Sequence, residues 1–156
     1  MEYGAQPLRR KSLRAGPLFR ALVAQFCENA QEKKCEISLE QSEQSEQAML
    51  CADRALLERL LENLLNNSIR HNPGRVSITV RTEAAGGCFC LTVADDGCGY
   101  PPAVLAAMNA PAPCENAPHI LGLHVVEQIA IAHGGKAEFA QNIPQGAKTV
   151  ISLPME

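Results

Sequence analysis

The sequence predicts an α+β fold, a two-layer sandwich in which a mixed, mostly antiparallel sheet carries three main helices on one face. Three segments with helical periodicity separate pairs of short, strand-like segments along the 156 residues. Pairs of strands kept apart by helices favour a largely antiparallel sheet with one covered face. A chain of this length fits one domain that is large enough to bury a core.

Composition and charge exclude several classes of protein. The formal net charge is -3, so no field of the whole domain favours a nucleic-acid partner or direct contact with an anionic membrane. No apolar run approaches the ~18 residues of a membrane span, and no signal peptide opens the chain. The seven cysteines form no C-x-x-C pair, which favours reduced thiols over disulfides or a metal site. These features indicate a cytoplasmic location.

The first part of the chain is predicted to hold a lead, one helix and two strands. Residues 1–16 are polar and basic, and a solvated linker is favoured over a docking patch. A helical stripe of apolar residues from 17 to about 33 predicts a core helix. Residues 36–39 and 48–52 alternate like strands and are expected to pair, and the low-complexity tract 40–47 between them is predicted to be a loop.

The stretch from Asp53 to Pro73 predicts one amphipathic helix, because its leucines recur every three or four residues. Asp53 is the expected N-cap, and Asn72-Pro73-Gly74 is the expected stop. Four polar side chains occupy or border one side of this helix: Asn63, Asn67, Arg70 and His71. An ordinary exposed face usually carries Glu and Lys rather than two asparagines, which are mediocre helix formers.

The second part of the chain is predicted to contain two hairpins, a loop and one helix. Residues 75–81 and 88–94 form the first hairpin around a turn at 84–87. Residues 101–120 are rich in proline and alanine, with a short helix at 104–109, and long loops of this kind are often lids. A helix over 121–133 ends at two glycines. The closing strands are residues 136–141 and 148–153.

Residues that could bind a ligand are predicted at three places beside this lid. A carboxamide oxygen of the asparagine side suits Mg²⁺, and the guanidinium of Arg70 suits a phosphate. Asp95 at a strand end can accept from an exocyclic amine, and the glycines of Asp95-x-Gly97-x-Gly99 allow close approach to a flat ligand. Backbone N–H groups of Leu121-Gly122-Leu123 at a helix start are suited to anions.

Together these motifs resemble the Bergerat-fold (GHKL) ATPases, and within them the catalytic and ATP-binding domain of bacterial sensor histidine kinases. N-L-L-N-N-S-I-R-H-N is similar to the N box of that family, and D-D-G-C-G-Y is similar to its G1 box. L-G-L-H-V-V-E-Q-I-A-I-A-H-G-G resembles the second half of the G2 region with the helix after it, and G-A-K-T-V-I-S-L-P resembles the last strand. The resemblance covers roughly residues 17–154, which implies an ATP-binding domain over residues 17–156.

The resemblance also implies a role for individual residues toward ATP and Mg²⁺. Asn67 matches the Mg²⁺ ligand, Asn63 and Arg70 match positions beside the reacting phosphates, and His71 matches a position that packs near the nucleotide. Asp95 matches the aspartate that reads the adenine amino group. The remaining positions implied to bind the nucleotide are Gly97, Gly99, Tyr100, Leu121, Gly122, Leu123 and Thr149.

The residue at position 63 indicates how bound ATP would react. An asparagine cannot serve as a general base for water, and Glu62 is turned about 100° away around the helix. The site therefore suits an incoming nucleophile, which the resemblance implies to be a histidine on a separate dimerisation domain absent from this chain. None of the four histidines fits the phosphoacceptor motif. The implied setting is the cytoplasmic portion of a larger sensor that signals to a response regulator.

Two alternatives remain open from the sequence. In the family's G2 loop, glycines are usual where Pro118 and Ile120 stand here, and a proline removes one N–H donor. This departure suits a degenerate, non-catalytic interaction domain that keeps the fold. The other alternative is a free-standing anti-sigma-type serine kinase, which a glutamate at position 63 and a complete G2 loop would favour.

Overall fold

A computed structural model of the protein describes residues 8–29, 35–72, 74–108 and 118–156, with the side chains of 118–121 not included. Seven strands and five helices lie in this part of the chain. In chain order they are β1 (Lys11–Arg14), α1 (Ala15–Asn29), β2 (Cys35–Gln41), α2 (Glu43–Gln47), β3 (Met49–Ala52), α3 (Arg54–Arg70), β4 (Val76–Ala85), β5 (Cys88–Asp95), α4 (Pro102–Met108), α5 (Pro118–Ala132), β6 (Lys136–Gln141) and β7 (Ala147–Pro154).

The main sheet has five strands in the order β2-β4-β5-β7-β6. Only the pairing of β2 with β4 is parallel, and the other three pairings are antiparallel. Alternate residues of β4 and β5 are buried, as expected for a sheet with one face on the core. The predicted mixed, mostly antiparallel sheet is confirmed.

The core lies between this sheet and the helices α1, α3 and α5. Phe19 of α1 stacks on Phe89 of β5, with ring centroids 5.6 Å apart. The leucine stripe of α3 is buried as predicted, and each such side chain contributes roughly 1.5–3 kcal/mol of transfer free energy. No helix in the described ranges combines the length and the apolar character that a bilayer crossing requires.

Helix α3 is held at its N-terminal end by two contacts of Asp53. The Oδ1 atom of Asp53 accepts from the N–H of Leu56 at 3.2 Å, so the predicted N-cap is confirmed. The N–H of Asp53 donates to Nε2 of buried His133 at 3.0 Å. Because His133 accepts there, its Nδ1 carries the proton and donates to the carbonyl of Ile129 at 2.8 Å. His133 is therefore a core residue.

The first part of the chain differs from the prediction in three ways. Residues 11–14, expected in a solvated lead, form β1, which pairs with β3 in a separate two-stranded sheet, and the last two residues of that lead, Ala15 and Gly16, begin α1. The expected pairing of β2 with β3 is wrong, because β2 instead lies beside β4. The tract 40–47, expected to be a loop, completes β2 and forms α2. Helix α2 is stable because Ser42 caps it and because the hydroxyl of buried Ser45 bonds to the carbonyl of Thr82 at 3.0 Å.

Candidate functional site

A small cleft lies where the last turn of α3 meets the end of β5 and the start of β7. Nine residues line it: Asn67, Ser68, His71, Asn72, Asp95, Gly99, Tyr100, Pro101 and Ala147. Asn67 and Asp95, which come from two separate sequence motifs, therefore face one cavity. Five of the residues predicted from the sequence meet here, namely Asn67, His71, Asp95, Gly99 and Tyr100.

Asp95 is 3% exposed, and the backbone around it orients its carboxylate. Its Oδ1 atom accepts from the N–H of Gly97 at 3.0 Å and from the N–H of Ala147 at 3.1 Å. Gly146 has φ +110°, and a Cβ there would overlap the carbonyl oxygen of Asp95. Within the described residues both hydrogen bonds to this carboxylate fall on Oδ1. Oδ2 therefore remains as an acceptor for the amino group of a ligand.

Asn72 joins α3 to the loop after β5. Its Oδ1 atom accepts from the N–H of Cys98 at 2.8 Å, while its Nδ2 donates to the carbonyl of Ser68 at 2.5 Å. The side chain fills the space where a Cβ of Gly97 would stand. From the sequence, Asn72 was expected in the helix stop and at the end of the N box, with no predicted contact to the Asp95 loop. Its structural role is to hold the Asp95 loop against the asparagine side of α3.

The end of β6 and the turn after it supply further positioning residues that the sequence analysis missed. Gln141 accepts from the N–H of Tyr100 at 2.9 Å and donates to the carbonyl of Tyr100 at 2.6 Å. Asn142 donates to the carbonyl of Asp95 at 2.9 Å, and Gln145 donates to that of Asp96 at 2.7 Å. Polar residues near a predicted turn look like ordinary solvated loop, so no local signal marks these contacts.

Tyr100 and Thr149 form a buried pair at the inner end of the cleft. They are 6% and 1% exposed, and the Tyr100 hydroxyl lies 2.5 Å from Oγ1 of Thr149. The ring packs edge-on against Phe139, with centroids 6.1 Å apart. Burial raises the pKa of Tyr100 to about 12; the bond to Thr149 opposes this rise, and the charge of Asp95 adds to it.

The two residues predicted to act on the phosphates do not line the cleft. Asn63 is half-buried and faces α5, where a Cβ on Gly122 would lie 3.6 Å from its Oδ1. Arg70 is exposed at the end of α3. Asn63 and Gly122 thus come together as the motifs suggested, about one helical turn before Asn67.

Helix α5 begins at Pro118, three residues before the predicted start. Gly122 and Leu123 therefore lie in its second turn, where N–H groups bond within the helix, so the prediction that they present free N–H donors is wrong. Leu121 closes the first turn, and Leu123 is a core residue with 1% exposure. The predicted lid falls in part outside the described residues, since 109–117 are not among them; α4 is the part described.

The donor set of the cleft suits a magnesium ion that arrives with phosphates. Among the described residues, no three His, Cys, Asp or Glu side chains stand close enough to hold a metal. Asn67 is 9% exposed at the cleft, and its side chain makes no hydrogen bond with any other described residue. Mg²⁺ keeps several waters and takes few protein ligands besides substrate phosphates, so a single carboxamide oxygen fits this ion.

A family model of "Histidine kinase-, DNA gyrase B-, and HSP90-like ATPase" matches residues 52–156. The match contains α3, the Asp95 loop and the closing hairpin, which are the elements that build the cleft. Domains of this family bind ATP.

Two curated relatives are sensor proteins. The chain is 25% identical over 155 residues to the alginate biosynthesis sensor protein KinB of Pseudomonas aeruginosa, covering 97% of this chain and 26% of that protein. It is 31% identical over 130 residues to the sensor protein SphS of Synechococcus elongatus, covering 71% of this chain and 30% of that protein. The chain therefore spans less than a third of the length of either relative.

The fold is shared with solved structures. The nucleotide-free catalytic domain of histidine kinase ThkA matches with a TM-score of 0.78 and 21% identity, over 94% of this chain and 96% of that one. Histidine kinase AdeS of Acinetobacter baumannii matches with a TM-score of 0.74 and 19% identity, over 99% of this chain and 72% of that one.

Proposed function

The chain belongs to the histidine kinase-, DNA gyrase B- and HSP90-like ATPases and is homologous to sensor histidine kinases, and we propose that it presents Mg·ATP to a histidine of another domain. The observation that carries the proposal is the shared cleft: Asn67 on α3 and Asp95 at the end of β5 line one cavity. A nucleotide bound there would span from an adenine acceptor to a metal and phosphate site.

At the base end of the cleft, Asp95 supplies the recognition of adenine. Its Oδ2 accepts from the exocyclic amino group, while the bonds of Oδ1 to Gly97 and Ala147 keep the carboxylate from rotating. A hydrogen bond to a charged acceptor contributes about 1.5–3 kcal/mol. Gly99 has φ +82°, and the Gln141 side chain lies 2.5 Å from the position of a Cβ there, so the glycine leaves room for the side chain that holds Tyr100.

At the phosphate end, Asn67 holds Mg²⁺ through its carboxamide oxygen, and the ion neutralises charge on the phosphates when bound. His71 borders the nucleotide from the position that caps the C-terminal end of α3. The exposed guanidinium of Arg70 contacts a phosphate bidentately after the nucleotide enters. Asn63 and Gly122 mark the side of the site nearest the terminal phosphate, with Leu121 and Leu123 flanking Gly122 along α5.

The side chains near the phosphate end favour transfer to a partner over hydrolysis. Asn63 has no basic group with which to activate water, and Glu62 is exposed on another side of α3. Among the histidines whose side chains the structure describes, His71 lines the cleft, His124 lies 3.6 Å from Glu127 on α5, and His133 is bonded on both ring nitrogens. We therefore place the phosphoacceptor histidine on a dimerisation domain of the same protein, with a response regulator downstream and with this domain in the cytoplasmic portion of a larger sensor.

Thermal unfolding with and without Mg·ATP tests this proposal. A ligand that binds only the folded state stabilises it by about 2.7 kcal/mol at a hundredfold excess over Kd. For a domain of this size that corresponds to a rise in Tm of roughly 5–10 °C. ADP should also raise Tm, and GTP should raise it much less, because guanine presents a carbonyl where Asp95 needs a donor. No rise with ADP or with Mg·ATP would contradict the proposal.

A further inference from the structure

We propose that Tyr100 closes the nucleobase end of the cleft and must move aside for a purine to enter, so that this residue sets the nucleotide affinity of the domain. The inference rests on the proposed function, since it concerns access to the same cleft. It goes beyond that function because it makes Tyr100 an obstacle in the ligand-free protein rather than a simple contact of the bound base.

The first observation is the size of the cleft. Although nine residues from three segments border it, it encloses about 10 Å³, which is room for about one water molecule. A purine ring is far larger. The acceptor for its amino group, Asp95, is itself only 3% exposed. Some side chain at the cleft therefore has to leave before a base can reach this carboxylate.

The second observation identifies that side chain. Tyr100 is the largest residue of the lining, and its hydroxyl reaches past the cleft to Oγ1 of Thr149, 2.5 Å away. Thr149 is 1% exposed and is not among the described residues that border the cleft, whereas Tyr100, to which it is bonded, is among them. The proximity of the ring to Asp95 is evident in the electrostatic effect of that carboxylate on the phenol.

The third observation concerns which part of Tyr100 is free to move. Its backbone is held on both sides by Gln141, through the N–H at 2.9 Å and the carbonyl at 2.6 Å. The side chain is held by one hydrogen bond to Thr149 and by an edge-on contact with Phe139. Rotation about the side-chain torsions alone would open the cleft, with the Asp95 loop left in place.

When the Tyr100 ring closes the cleft, the apparent affinity for nucleotide is the intrinsic affinity multiplied by the fraction of molecules whose cleft is open. Tyr100→Phe removes the bond to Thr149 and keeps the ring, so the open fraction should rise. One net hydrogen bond corresponds to a roughly 2- to 12-fold tighter Kd. Tyr100→Ile removes the ring as well, and we expect a Kd at least as tight as that of Tyr100→Phe.

Calorimetric titration of ADP into the wild-type chain and the two variants tests the proposal, with an ADP-saturated melt to confirm that each variant folds. Phe26→Ile is the matched control, because Phe26 is also 6% exposed but lies on α1, outside the cleft. It should leave Kd unchanged. Tighter binding by both Tyr100 variants supports the proposal.

Equal or weaker binding by both folded variants overturns the role of Tyr100 while leaving ATP binding intact. If neither the wild type nor any variant binds ADP, the proposed function fails together with this inference. A spectroscopic readout is also available, since the chain has no tryptophan and only two tyrosines. In a Tyr3→Phe background, ADP should shift the ultraviolet absorbance of Tyr100 as its hydroxyl leaves Thr149; an unchanged spectrum at saturation contradicts the movement.

Discussion

Replacing Asp95 with asparagine should remove adenine recognition without disturbing the fold. The carboxamide oxygen of an asparagine can accept the same two N–H groups, from Gly97 and Ala147, that now bond to Oδ1. Its amide nitrogen then takes the place of Oδ2, so that a donor faces the donor of the base. Loss of a hydrogen bond to a charged acceptor costs about 1.5–3 kcal/mol, which corresponds to a roughly 10- to 150-fold weaker Kd.

Asp96→Asn is the matched control for this experiment. Asp96 is exposed, and its Oδ1 accepts from the N–H of Ser77 at 2.9 Å, a bond that asparagine can keep. Each variant removes one negative charge, and the two positions are adjacent in the sequence. Calorimetric titration with ADP should show weak or undetectable binding for Asp95→Asn and a nearly wild-type Kd for Asp96→Asn. A folded Asp95→Asn variant that binds within about threefold of wild type would refute the reasoning.

Two further perturbations follow from the same geometry. The pKa of Tyr100 is about 12 in the folded state against an ordinary 10, so between these pH values the hydroxyl ionises in the unfolded chain before it ionises in the folded one. The contribution of this residue to the free energy of unfolding is therefore complete below about pH 10. That free energy should fall by about 2–3 kcal/mol as pH rises from about 10 to 12. Urea unfolding near pH 9 and pH 11.5 should show this loss in the wild type but not in Tyr100→Phe, and equal losses would contradict the assignment. Gly146→Ala places a Cβ against the carbonyl of Asp95 at a positive φ, so it should destabilise the fold by at least about 1–3 kcal/mol. Gly86→Ala, also at positive φ but with open space around it, should cost only about 1 kcal/mol; equal urea midpoints for the two variants would argue against the close approach.

The parts of the molecule that the sequence predicted are those whose signals are local. The leucine period of α3, its cap at Asp53 and the aspartate at the end of β5 depend on neighbours within a few positions, and the structure contains all three. The prediction that Asn67 and Asp95 belong to one site came from the family resemblance, because in that family the two motifs bind the same nucleotide. Composition and periodicity alone left those motifs as separate weak signals.

The parts that the sequence did not predict depend on contacts between distant segments. Strand β2 pairs with β4, and Glu40 lies opposite Arg81 in this pairing. No residue near position 40 in the sequence indicates that β4 is the partner strand. The two hydrogen bonds between Gln141 and Tyr100 also join segments that are far apart in the sequence, so neighbouring residues do not predict them. Leu123 was assigned to the site by its motif, but its side chain packs in the hydrophobic core on the buried side of α5.

The most direct test of the account is a backbone-amide NMR titration of the chain with Mg·ADP. One nucleotide between α3 and the end of β5 should shift the amides of residues 67–72, 95–100 and 145–149 together, along curves that fit one Kd. Shifts confined to another groove, such as the one that Glu40, Arg81 and Glu83 border on the β2–β4 edge, would contradict it. So would amide shifts at residues 67–72 and 95–100 that follow two different affinities.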